Sequence, residues 1–235
     1  MILPRNVVDV KELRERRYIF KDRVDAGRRL AEKVYELIEK VDLVYAIPRG
    51  GVPIGIEVAK RLNTKMDLLP CRKLVLPFNR EAGFGAIDPD GEVYLNRELI
   101  DFLRLDSSVI EIAKKETLKE LNYLNKVFRK GRGYNVLKDS VVIIVDDGLA
   151  SGYTMTSAVE FLRRKEVEKV IVASPTASLN AVELLSTVAD LLIILNIRSD
   201  LIYAVADAYI NWYDLTNLDV INYLKSNKGL LSFEL

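Results

Sequence analysis

Five apolar residues in unbroken succession, Val141–Val145, restrict the fold more than any other feature of this 235-residue chain. A strand with one wet face alternates apolar and polar side chains, so a strand without alternation needs cover on both faces. The surrounding sequence offers that cover. From Val41 onward, strand-like runs at Leu43–Ile47, Met66–Cys71, Val170–Ala173 and Leu191–Leu195 alternate with helical patterns at Val52–Leu62, Tyr153–Arg164 and from Leu179. That alternation predicts an α/β fold: a mostly parallel twisted sheet with helices on both faces. Leu105–Lys130 predicts one long amphipathic helix, stopped by Gly131-Arg132-Gly133. Leu74–Gly91 holds five glycines and prolines among several charges, which predicts a long mobile loop.

The chain has no internal repeat and no low-complexity linker, so a single domain over 1–235 is expected. Its core spans about 21–197, and the segments 1–20 and 198–235 form a small hood. Histidine is absent, which excludes a His-based triad, a His general base and zinc held by histidines. Any metal must sit among carboxylates and ligand oxygens, which favours Mg2+, although no residue is singled out as its direct ligand. One cysteine, Cys71, allows no internal disulfide. The formal net charge of +1 gives no reason to expect nucleic acid or a membrane surface as a partner. No apolar run reaches membrane-spanning length and Met1–Arg17 is too charged for a secretory signal, so a cytoplasmic protein is expected.

The chemistry concentrates where the apolar strand ends. Asp146 and Asp147 leave its carboxyl end, and Gly148, Leu149, Ala150, Ser151, Gly152, Tyr153 and Thr154 turn into a helix. Free N–H groups at such a turn, together with the helix dipole, favour a phosphate dianion. Ser151 and Thr154 add hydroxyl donors, and the two acids can accept from sugar hydroxyls. A second strand-to-helix turn, Ala46–Pro53, carries Arg49, Gly50 and Gly51, a permanent cation beside exposed amides.

The stretch Val141–Thr154 resembles the 5-phosphoribosyl 1-pyrophosphate (PRPP) motif of type I phosphoribosyltransferases. The resemblance implies that family's fold, with Asp146 and Asp147 on the ribose 2′- and 3′-hydroxyls and Ala150–Thr154 around the 5-phosphate. Arg49, Gly50 and Gly51 resemble the pyrophosphate loop, and Arg72-Lys73 resembles a catalytic Arg-Lys pair of adenine-type members. Phe20–Gly27, Gly83–Ile87 and Tyr203-Ala204-Val205 resemble one subgroup of phosphoribosyltransferase-domain proteins, so the likeness runs from about 18 to 222. It implies transfer of ribose 5-phosphate from PRPP to a nucleobase or similar nitrogen heterocycle, with magnesium. A homodimer is expected, for which the long helix Leu105–Lys130 offers a surface. Tyr203 and Val205 fall where family members hold the base. Arg80, Glu81 and Asp88 are further candidate catalytic groups, riding on the expected loop. Ala150 stands where 6-oxopurine enzymes carry an acid, and no lysine follows Val172–Thr176, which argues against hypoxanthine and guanine. A non-catalytic PRPP- or nucleotide-binding regulator of the same fold is the alternative.

Overall fold

The computed structural model describes residues 1–76, 79–134 and 138–234, with the backbone alone for 79–82. In chain order the elements are β1 (Val7–Asp9), α1 (Arg23–Leu37), β2 (Leu43–Ala46), α2 (Gly51–Leu62), β3 (Lys65–Leu68), β4 (Arg72–Leu76), β5 (Asn79–Ile87) and β6 (Val93–Leu95). There follow α3 (Arg97–Leu103), α4 (Ser107–Arg129), β7 (Val141–Val145), α5 (Tyr153–Arg164), β8 (Lys169–Ser178), α6 (Leu179–Ser186), β9 (Leu191–Arg198) and α7 (Asn217–Ser226).

Six strands make one sheet in the order β1-β9-β8-β7-β2-β3, and every pairing in it is parallel. The apolar run of β7 lies in its middle, between β8 and β2, with Val142, Ile143, Ile144 and Val145 fully buried. Ile143 and Val145 face a core shared with α1 and α2. Val142 and Ile144 face the opposite core, built on α5 and α6. Cover on both faces is therefore what the sequence pattern required. β1 extends the sheet from within the segment assigned to the hood, pairing Val7 with Leu192.

The chain leaves β2 through α2 toward one edge of the sheet, and leaves β7 through α5 toward the other. β2 and β7 are neighbours whose last residues, Ala46 and Val145, stand in register. Their two outgoing turns thus open a crevice at the carboxyl edge, the place where open α/β sheets bind ligands.

The loop expected over Leu74–Gly91 is corrected by the structure. β4, β5 and β6 form a separate antiparallel sheet. Leu74, Leu76, Phe84, Ile87, Ala113 and Leu121 close a small third core between that sheet and α4. The glycines there serve close packing: a Cβ on Gly85 would lie 2.4 Å from the Tyr94 carbonyl oxygen. Two ion pairs, each with a buried aspartate, tie this insertion to the body. Arg129 at the end of α4 grips Asp67 of β3 through Nε and Nη2, each at 2.9 Å. Arg164 of α5 pairs with the fully buried Asp88 after β5. Among the described residues, no helix is long and apolar enough to cross a membrane.

Candidate functional site

The turn after β7 is pinned to β8. Leu149 N–H donates to Thr176 O (3.0 Å), Leu149 O accepts from Ser178 N–H (2.9 Å), and Ser178 Oγ donates to Ala150 O (2.6 Å). Gly152 then takes a left-handed conformation, φ +83°, and starts α5; glycine enters that region at little cost. With the carbonyls held from behind, the N–H groups of the five residues 150–154 have no acceptor among the described residues. Together with the positive end of α5 they form a cradle for an anion.

The turn after β2 is built against the same edge. A Cβ on Gly50 would lie 2.0 Å from Asp147 Oδ2, and one on Gly51 would lie 2.7 Å from the Val145 carbonyl oxygen. Both glycines are therefore required by the approach of the two turns, more than by turn geometry. The Pro48–Arg49 peptide in this turn is cis.

The two acids differ. Asp147 is buried; its Oδ2 accepts from Arg23 Nε at 2.7 Å, and its carbonyl accepts from the Tyr209 hydroxyl at 2.6 Å. Asp146 Oδ1 accepts from the Asp147 N–H at 2.8 Å. Burial, then the neighbouring Asp147 charge, holds the Asp146 carboxyl well above the usual carboxylate range, with Arg23 opposing the rise.

Across the crevice, Arg72 reaches Glu120 of α4 through Nη2 at 3.0 Å, while its buried Nε has no hydrogen-bond partner among the described residues. Burial pushes the Arg72 guanidinium below its usual value, Glu120 offsets part of this, and the Arg49 charge adds to it. An arginine so placed favours an arriving anion.

One cleft of about 1180 Å³ brings together Arg49, Gly50, Arg72, Lys73, Asp146, Asp147, Thr154 and Val205. Val205 packs so tightly on Gly148 that a Cβ there would lie 2.3 Å from Val205 Cγ1. Ala150 and Ser151 border a smaller pocket of about 250 Å³ beside the cradle, and Tyr203 lies there with them. The Tyr203 hydroxyl is hydrogen-bonded to Thr176 Oγ1 at 3.0 Å, and its ring lies 4.8 Å from the Arg198 guanidinium. Asp88 is not a cleft group: it is committed to Arg164 and to the amides of Asp90 and Glu92. The side chains of Arg80 and Glu81 lie outside the described residues.

Sequence reasoning missed Arg23 and Trp212, which line the cleft, as well as the α4 wall of Thr117 and Glu120. A usable signal for Arg23 lay in Phe20–Gly27, which resembled a subgroup pattern before any role was attached to it. Among the described residues no three acidic or thiol groups converge as a metal site.

The phosphoribosyl transferase domain family matches residues 91–190. Proteins from two strains of Mycobacterium tuberculosis, each named "Putative phosphoribosyl transferase", are 36% identical over 206 residues, covering 88% of this chain and 46% of theirs. The chain thus spans about half the length of the curated relatives it matches. The crystal structure of TT1426 from Thermus thermophilus is similar at 32% identity and a TM-score of 0.71, covering 88% of this chain and 98% of that one.

Proposed function

This chain belongs to the phosphoribosyltransferase-domain proteins, and from that premise we propose that it is a magnesium-dependent phosphoribosyltransferase, moving ribose 5-phosphate from PRPP to a nitrogen base. The observation that carries this reading is the run of amides at 150–154 that have no acceptor among the described residues, following the two acids after Gly148-Leu149 and reaching, through Thr154, the cleft lined by Arg49, Arg72 and Lys73. In this reading the amides hold the 5-phosphate. Asp146 and Asp147 accept from the ribose hydroxyls, and Arg49, Arg72 and Lys73 hold the pyrophosphate.

The bond from C1 to the pyrophosphate oxygen breaks, and its electron pair leaves with pyrophosphate. The base nitrogen supplies the pair for the new C1–N bond and sheds its proton to solvent. Preorganised cations beside the departing group are worth more here than in water, because the cleft walls lower the local dielectric. Magnesium would come as a companion of the donor, held mainly by oxygens of that ligand. When bound, it would neutralise charge developing on the leaving group.

Ala150 and the missing lysine after Val172–Thr176 support adenine ahead of guanine as acceptor. Val205 and Trp212 in the cleft, with Tyr203 beside the cradle, are the groups available to the base. The reading includes a homodimer, which sedimentation velocity at assay concentration tests. The decisive assay measures pyrophosphate release from PRPP and magnesium against a panel of purines, pyrimidines and azoles. Base-dependent release, adenine ahead of guanine, is expected. PRPP binding with no release for any base would favour the regulator, and guanine ahead of adenine would contradict the reading of Ala150.

A further inference from the structure

The segment Phe20-Lys-Asp-Arg-Val-Asp-Ala-Gly27 has no role in the reaction as described so far, yet it fixes the start of α1, where Arg23 meets the cleft. Phe20 is fully buried and pairs with Tyr209, ring centroids 5.7 Å apart. The Asp22 side chain caps α1 by accepting from Asp25 N–H at 2.9 Å, and the Asp25 side chain accepts from Lys21 N–H at 3.0 Å. These two caps fix the first turn of α1, on which Arg23 is the first residue. Ala26 is buried, and a Cβ on Gly27 would lie 3.1 Å from Ile54 Cα, so α1 sits hard against α2. That helix begins at the Pro48–Gly51 turn.

Arg23 itself is 7% exposed. Its Nε donates to Asp147 Oδ2 at 2.7 Å, its Nη1 donates to Tyr213 O at 2.8 Å, and its guanidinium lies 3.8 Å from the centre of the Trp212 ring. Asp147 is thereby clamped between Arg23 and the backbone of Gly50. The same guanidinium holds the 209–213 segment, whose Tyr209 hydroxyl bonds the Asp147 carbonyl.

We propose that Arg23 is a positioning residue: acting through Asp147, it locks the ribose acids, the Pro48–Gly51 turn and the Trp212–Tyr213 strap into one unit. The inference rests on the donor-site reading above and assigns a role that the motif does not contain. In this proposal Arg23, on the cleft wall, acts on the donor through the carboxylate that it sets. Arginine suits this work because one planar fork can serve a carboxylate and a carbonyl while its face stacks on an indole. Lysine keeps only the charge.

The test uses the full chain and its variants R23Q, R23K, D147N and R23Q/D147N, titrated calorimetrically with ribose 5-phosphate and, separately, inorganic phosphate. R23Q is expected to weaken ribose 5-phosphate by about tenfold or more, the scale of one lost charge-assisted bond. Inorganic phosphate, which needs only the amides, should change less than about twofold. Because Arg23 works through Asp147, the double variant should bind no worse than D147N alone. R23K should fall between parent and R23Q, and it replaces R23Q in the cycle if R23Q does not fold.

A pH profile adds a reading that a purely structural residue would not move. The charged and titratable groups around the acid pair include Arg23 from α1, Arg49 from the turn after β2, Arg72 and Lys73 from β4 with Cys71 before them, Glu120 from α4, and Tyr203, Tyr209 and Asp214 from the C-terminal segment. Removing the Arg23 charge removes a force that opposes protonation of Asp146, so the acidic limb of binding should move to higher pH in R23Q and far less in R23K. An R23Q that binds ribose 5-phosphate like the parent, or a loss that adds in full to that of D147N, overturns the proposal. A parent that binds neither ribose 5-phosphate nor PRPP would sink the donor-site reading first, and this inference with it.

Discussion

Arg129 and Arg23 each bury a guanidinium against an aspartate and beside an aromatic ring, and they do different work. Arg129 is 2% exposed, lies 3.7 Å from the centre of the Tyr134 ring, and spends all five of its N–H donors. Two go to the carboxylate of Asp67, and three go to Asn125 Oδ1 and the carbonyls of Arg132 and Gly133. Arg23 lies equally close to Trp212 but has two acceptors among the described residues, Asp147 and the Tyr213 carbonyl. The saturated pair fastens α4 to the sheet. The unsaturated one faces a cleft. Between these two arginines burial and charge draw no distinction; the count of satisfied donors does.

The sharpest way to break this comparison is to remove Arg129. Arg129→Met leaves Asp67 buried without its counter-charge and should cost about 3–5 kcal/mol of folding stability by denaturant titration. Where the variant is folded, its ribose 5-phosphate affinity should stay within about threefold of the parent, since distant sites act independently. A stable variant with lost affinity would show that Arg129 serves the site.

Next in size is the clamp on Asp147. Gly50→Ala would set a Cβ 2.0 Å from Asp147 Oδ2 and force that carboxylate off Arg23. PRPP affinity should fall about 100-fold, the cost of a misplacement near 1 Å, measured by calorimetry. Parent-like binding would mean that the position of Asp147 does not matter.

Asp146→Asn should give a smaller loss, about 1.5–3 kcal/mol of PRPP affinity, as one charged acceptor becomes neutral. Its stability should move the other way. The Asp146 carboxyl is raised in the folded protein, so the native state holds the extra proton, and stability falls as pH rises from the unfolded to the folded value. At neutral pH the variant should melt at or above the parent. The parent's PRPP binding should weaken by about tenfold per pH unit as pH falls below the raised Asp146 value, and the variant should lack that limb. A variant that melts well below the parent would contradict the burial argument.

Much of the fold is legible in the sequence. The β7 strand, the two acids at its end and the small-residue turn into α5 lie within fourteen adjacent residues, Val141–Thr154, so local pattern shows where they fall. The insertion was read poorly because Gly83 and Gly85 look like loop punctuation. They are small because β4–β6 pack backbone against backbone, which only the paired strands reveal. Arg23 was hidden for a different reason. Its partner is 124 positions away, and neither residue marks the other in sequence. Tyr203 was expected against a base by its place in the chain, yet its hydroxyl bond to Thr176 depends on the reach of β8 beyond Ala173, to Ser178.

The central claim is that the cleft between the β2 and β7 turns binds PRPP, and thermal unfolding with PRPP and magnesium tests it most directly. A ligand bound by the native state alone stabilises it by about 2.7 kcal/mol at a hundred times its dissociation constant. The account predicts a clear rise in Tm with millimolar PRPP and magnesium, a smaller rise with ribose 5-phosphate, and loss of most of the difference with a chelator. An unchanged Tm under millimolar PRPP and magnesium would contradict it.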